Sequence, residues 1–257
     1  MNRMEKVFNE NMAKGKGSLV LYFGLGDPAM GSDLEGARKY VANGATVLEM
    51  GLPYEDPAMD GATVRGSMER ALEKVNLEDC FASVKEIRRE FPDQVLQLMT
   101  YYGNIAKYGA KRFAEICHEC DVDGVLTPDA TLEQHTELDA ELGKYNIFNL
   151  RFSFYHITEE ALADLKAHAK GYIFQQAVDG GTGARETVDP KVAVNVKVLK
   201  DAGIKTPVFV GFGLDKPEQL KEVRSMGADG VIVGSSTISH ILKGDCEAYI
   251  RSLSAVL

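Results

Sequence analysis

The chain has 257 residues, 45% hydrophobic and 26% charged, a composition that suits a globular protein with a sizeable core and excludes a fibrous or disordered one. A formal net charge of −9 argues against a nucleic-acid or anionic-lipid surface, which needs clustered Lys and Arg, although one small phosphate can still be held by backbone N–H groups. No apolar run approaches the roughly 20 residues of a membrane span, and residues 1–15 lack a secretory signal's apolar stretch, so a cytoplasmic location is expected.

An N-terminal helix is expected before the first strand. Short apolar or β-branched runs then alternate with longer amphipathic ones, the strands being expected at 19–23, 46–50, 95–100, 124–126, 147–152, 171–175, 208–210 and 230–233. Helix starts are marked by capping-box spacings at Ser32–Glu35, Thr131–Gln134 and Asp215–Glu218, and by Asp189 as N-cap before Pro190 at the first helical position. One helix-to-strand corner recurs, as Gly44-Ala-Thr-Val-Leu-Glu49, Asp121-Val-Asp-Gly-Val-Leu126 and Gly227-Ala-Asp-Gly-Val-Ile-Val-Gly234. With no linker between units, the expectation is one (β/α)8 TIM barrel over residues 1–257, with its chemistry at the C-terminal strand ends. An open doubly wound sheet would carry a third glycine after its first strand, which Gly24-Leu-Gly-Asp27 lacks.

The four cysteines, Cys80, Cys117, Cys120 and Cys246, are too few and scattered for a disulfide scaffold. Cys117-His118-Glu119-Cys120 continues a helical pattern without a second CxxC, and His118, His135, His168 and His240 lack ligand spacing, so no metal site is expected. Arg88-Arg89-Glu90 and residues 166–170 read as solvated helix ends.

Three glycine-rich strand ends stand close together, Asp179–Gly183, Gly211–Gly213 and Gly234–Ser236. Each alone is a tight turn. Three at successive strand ends point to a phosphate cradle, with a helix near Ser235 aiming its amides at the anion. Glu49 ends an apolar strand in the register that points inward. A structural carboxylate there needs a cation, and none follows until Arg65; burial would instead raise its pKa and suit it to acid/base work. The loop beyond adds Glu55, Asp56 and Asp60, one of which can hold a substrate N–H or hydroxyl.

In order along the chain stand Leu25-Gly-Asp-Pro28, Leu48-Glu-Met-Gly-Leu-Pro-Tyr-Glu-Asp-Pro57, Asp60-Gly61, Leu98-Met-Thr-Tyr-Tyr102, Thr182-Gly183, Gly211-Phe-Gly213 and Gly234-Ser235. In these motifs the chain resembles the tryptophan synthase alpha chain family almost end to end. The resemblance implies a lyase of tryptophan biosynthesis that cleaves indole-3-glycerol phosphate by a retro-aldol reaction, without metal or organic cofactor. By resemblance Glu49 protonates the indole ring, Asp60 holds its N–H, and Gly183, Gly213, Gly234 and Ser235 bind phosphate. Tyr22 and Phe212 would line the cavity, and Thr182 would anchor a mobile loop after strand six. The implied partner is a pyridoxal-phosphate beta chain in an alpha2beta2 tetramer, with Asp56 and Asn104 as contacts.

The chain departs from the family pattern at strand ends four to six. Asp129 is followed by Thr131 where proline is usual, 151–156 reads Arg-Phe-Ser-Phe-Tyr-His, Phe174 replaces a pocket tyrosine, and Gln175 and Gln176 precede the loop. Drift with compensating packing is one reading of these changes. Another is a more polar phosphorylated substrate meeting Arg151, His156 and Gln175; a third, suggested by the altered strand-six loop, is a weakly catalytic subunit that activates a beta chain.

Overall fold

The computed structural model describes residues 1–183 and 185–257. In chain order its first half runs α1 (Arg3–Ala13), β1 (Ser18–Gly24), α2 (Asp33–Ala42), β2 (Val47–Gly51), α3 (Ala62–Leu72), α4 (Leu77–Glu90), β3 (Val95–Met99), α5 (Tyr102–Tyr108), α6 (Ala110–Glu119) and β4 (Gly124–Leu126). The second half runs α7 (Leu132–Gly143), β5 (Phe148–Ser153), α8 (Glu159–His168), β6 (Ile173–Gln176), α9 (Lys191–Asp201), β7 (Val208–Gly211), α10 (Pro217–Ser225), β8 (Gly230–Val233), α11 (Ser235–Lys243) and α12 (Cys246–Ser254). The strands form a closed parallel barrel in sequence order, β8 pairing back to β1. This is the expected TIM barrel, its strand ends displaced from expectation by two residues or fewer. Among the described residues no helix is long and apolar enough to cross a membrane.

Strand residues alternate between two apolar layers. Val20, Val47, Val95, Leu150, Phe174 and Ile232 face the barrel interior, while Leu21, Leu48, Leu96, Ile173, Val210 and Val231 face the helices. Burial on both faces explains why these strands read as continuous apolar runs. At the barrel's lower end α1 inserts Met4 and Phe8, the latter edge-on to Phe209 with ring centroids 4.8 Å apart.

The recurring corner has a physical basis. Its first residue turns the chain out of a helix with positive φ, at Gly44 (104°), Asp121 (50°) and Gly227 (97°). Its third residue accepts a backbone N–H at the start of a neighbouring strand: Leu19 donates to Thr46 Oγ1, Leu96 to Asp123 Oδ2 and Val208 to Asp229 Oδ2, at 2.9–3.0 Å.

Several local expectations are corrected. Thr131–Gln134 is a capping box, but Ser32 lies in the αR region and turns its hydroxyl back to Ala29 O, so it caps nothing. Pro217 starts α10 and puts Lys216 at the N-cap; a lysine side chain has no acceptor, so the expected box reduces to one bond, the Lys216 N–H donating to Gln219 Oε1 at 3.0 Å. Asp189 does accept the Lys191 N–H, yet Pro190 occupies the N-cap position. Arg88 is not a solvated helix end. It is buried, donates to the carbonyls of Phe91, Pro92, Gln94 and Asp121, and pairs with Asp123 at 2.9 Å, tying α4 to the barrel floor. His135, expected as an ordinary helix residue, packs on α7 against Asn149.

Candidate active site

One cavity opens at the C-terminal strand ends, where a barrel is expected to keep its site. Glu49 projects into it from β2, only 3% exposed, and its Oε1 accepts from Gln97 Nε2 at 2.9 Å. Burial, with the neighbouring Asp60 charge adding to it, raises this carboxyl to about 8, and no cation offsets the shift. Asp60, on the loop after β2, is raised to about 6 by burial. The lift is smaller because Tyr101 donates to its Oδ2 at 2.8 Å, Thr182 donates to its Oδ1 at 3.3 Å, and Arg65 adds a positive field. At neutral pH the environment therefore keeps Glu49 protonated and Asp60 largely ionised, an acid and an acceptor in one cavity.

The wall facing the two acids is apolar. Phe152, Phe174 and Phe212 pack with ring centroids 5.0–5.7 Å apart, and Met99, Leu126 and Ile232 complete the surface. Tyr22 also lines it, its hydroxyl buried and without a hydrogen-bond partner among the described residues. The cavity is also lined by Gly183, Gly213, Gly234 and Ser235, with the first amides of α11. Gly213 has φ +84°, and an added Cβ would sit 2.8 Å from Arg185 Cγ, so any larger residue there would be strained and would displace Arg185. The loop after β6 rests on the loop after β2: Gly61 N donates to Thr182 Oγ1 at 2.8 Å.

Glu49, Asp60, Tyr22, Thr182, Gly183, Phe212, Gly213, Gly234, Ser235 and Phe174 are thus brought together around the cavity. The other polar candidates are not. Arg151 lies on the outward face of β5, where it pairs with Asp139 and Asp164 at 2.5 and 2.8 Å between α7 and α8. Strand alternation sends Phe152, not Arg151, into the cavity. Gln175 is also outward and bonds the carbonyl of Gln176. His156 sits outside the cavity against Asp179 and Lys191, while Tyr155 reaches Asp189 and Gln176 holds the Gly180 carbonyl. Of the residues expected to form a polar wall, His156 fastens the loop after β6, as does Gln176, whereas Arg151 and Gln175 bond away from both the cavity and that loop. Asp129 is exposed and accepts the Tyr102 N–H at the start of α5, so Pro128 rather than Asp129 lines the cavity. Asp56 is exposed, but Asn104 is buried beneath the loop after β2, donating to Pro53 O at 3.0 Å, and offers no contact surface.

Phe152 in the cavity wall, and Gln97, Tyr101 and Tyr172 around the two acids, escaped the sequence reading. Gln97 did leave a signal, as the one polar residue in the run Val95–Met99, directly across from Glu49 in the strand register. Among the described residues no group of three His, Cys, Asp or Glu could hold a metal ion.

The family model described as tryptophan synthase alpha chain matches residues 8–254. Tryptophan synthase alpha chains from Methanoregula boonei and Aquifex aeolicus are each 33% identical to the chain, covering 95% and 93% of it and 90% and 91% of themselves. Among solved structures, Mycobacterium tuberculosis tryptophan synthase superposes with a TM-score of 0.91 at 27% identity, covering 99% of this chain and 98% of its own. The tryptophan synthase alpha subunit of Legionella pneumophila superposes at 0.89, also 27% identical, covering 100% and 98%.

Proposed function

The chain belongs to the tryptophan synthase alpha chain family, and we propose that Glu49 and Asp60 carry its lyase reaction, the cleavage of indole-3-glycerol phosphate to indole and glyceraldehyde 3-phosphate. The observation that carries this reading over a polar substrate is the aromatic wall of Phe152, Phe174 and Phe212 facing the two acids. An indole ring buries its faces against such a wall and leaves one N–H to be satisfied, which the Asp60 carboxylate accepts.

The protonated Glu49 carboxyl gives its proton to the ring carbon that bears the side chain, making the ring an electron sink. The adjacent side-chain hydroxyl then loses its proton as the carbon–carbon bond breaks, and the bond's electron pair returns to the ring, releasing indole and the aldehyde. Glu49, charged after the first transfer, takes up that hydroxyl proton and is reset. Every step is a proton transfer or a bond cleavage. The phosphate lies against Gly183, Gly213, Gly234 and Ser235, where the partial positive charge at the start of α11 favours an anion.

This reading includes a beta chain as partner in an alpha2beta2 tetramer, contacting the exposed Asp56. It also includes a cytoplasmic location, supported by four buried cysteines that remain free thiols. The test is to incubate the purified chain with indole-3-glycerol phosphate, alone and with a beta chain, and to measure glyceraldehyde 3-phosphate. Cleavage that rises with the partner is expected. Absence of cleavage in both cases, from folded protein, would overturn the reading; cleavage only with the partner would favour the weakly catalytic, beta-activating subunit.

A second measurement probes the contact between the loops. An added Cβ at Gly61 would lie 2.0 Å from the backbone oxygen of Thr182. Gly61→Ala is expected to push the loop after β6 away and release Thr182 from Asp60, lowering kcat/KM by roughly 10²-fold, because small displacements of positioning groups are costly. The melting temperature should change little, and an unchanged kcat/KM would show that this contact does not matter in turnover.

A further inference from the structure

Glu49 is the last member of a buried chain of hydrogen bonds that crosses the barrel. Tyr172, just before β6, donates its hydroxyl to Gln97 Oε1 at 2.8 Å, and Gln97 Nε2 donates to Glu49 Oε1 at 2.9 Å. Gln97 and Glu49 are direct partners in the β2–β3 register, and both Gln97 and Tyr172 have no solvent exposure. An amide has an acceptor at one end and donors at the other, so the Tyr172 bond to Oε1 turns Nε2 toward Glu49. Tyr172 is held in turn by Phe209, stacked at 4.6 Å, and by Phe8 of α1, edge-on at 6.1 Å. Packing alone gives no reason for a glutamine here. The surrounding layer is apolar, and a buried amide is costly unless both its ends are satisfied.

We propose that Gln97 is a positioning residue for the carbon–carbon cleavage, its amide oriented by Tyr172, and that it holds Glu49 Oε1 so that Oε2 exchanges the proton with substrate. The inference rests on the reading of Glu49 as the acid. Among the described residues the Gln97 bond is the only hydrogen bond made by the Glu49 side chain, which leaves Oε2 open to the cavity. An N–H aimed at a carboxylate also favours its charged form, so Gln97 moderates the upward push of burial.

The test uses Gln97→Met, which keeps the volume and removes both bonds, and Tyr172→Phe, which removes one hydroxyl. In Gln97→Met, kcat should fall about tenfold with KM within about twofold, and the alkaline limb of kcat should move up by about one pH unit. Tyr172→Phe should lower kcat by about threefold, and the double variant should be no slower than Gln97→Met, since both changes break one chain. Titration of ¹³C-labelled glutamate carboxyls, with the Glu49 signal identified by its loss in Glu49→Gln, should report the same upward move without substrate. If Gln97→Met does not fold, Tyr172→Phe carries the test through the same titration. Folded variants with unchanged kcat and an unchanged Glu49 titration would overturn the proposal, as would additive losses in the double variant. Activity retained by Glu49→Gln would remove the acid assignment itself, and the proposal with it; an inactive Glu49→Gln beside an unaffected Gln97→Met would overturn the positioning role alone.

Discussion

Glu49→Gln is expected to lower kcat by about 10³-fold or more while calorimetry finds the Kd for indole-3-glycerol phosphate within about threefold of the unaltered chain. The amide keeps the shape of the side chain and removes its transferable proton; the phosphate cradle and aromatic wall stay as they were. The same substitution should raise stability at alkaline pH. In the folded chain the carboxyl titrates near 8 instead of the ordinary 4.5. Its contribution to stability is therefore fully present below about pH 4.5 and is lost as pH rises toward 8, where a bare charge must be kept in the barrel. Glutamine loses nothing over that window, so the melting-temperature difference in favour of Glu49→Gln should widen from pH 5 to pH 8. Retained turnover would sink the catalytic role, and a difference that shrinks with pH would contradict the raised pKa. A site that stores such a cost is one where function is kept at the expense of stability.

Arg151→Met is expected to do the reverse, costing stability and sparing chemistry. The guanidinium is almost fully buried between Asp139 and Asp164, which are themselves partly reached by solvent. Removing it leaves two neighbouring carboxylates without their cation. Water at their exposed edges discounts the usual penalty for breaking a buried pair, to about 2–3 kcal/mol. Urea unfolding should read this as a lower midpoint with an unchanged slope. KM for indole-3-glycerol phosphate should remain within about twofold, because Phe152 and not Arg151 faces the cavity. A large rise in KM with unaltered stability would return Arg151 to the substrate site.

By itself the sequence determined the barrel, its eight strand positions, the inward Glu49 and the glycine-rich strand ends, while the family resemblance supplied Tyr22, Thr182 and Phe212 at the cavity. The strand and glycine signals are local: strands buried on both faces must be continuously apolar, a lone Glu49 in such a run stands out, and glycine is favoured where the backbone takes a positive φ, as at Gly213. The recurring corner was legible for the same reason, since a positive-φ turn and a strand-capping oxygen are each set by one residue. Only the tertiary structure decided which polar residues act. Arg151 and Glu49 look alike in sequence, each a charge in an apolar strand, but alternation sends one out to Asp139 and the other in toward Gln97. Asn104 and Arg88 looked like surface residues and are buried anchors, because the partners that satisfy them, Pro53 O and Asp123, come from other elements. The link from Tyr172 to Glu49 joins residues from β2, β3 and the edge of β6, which only barrel closure brings within hydrogen-bond reach.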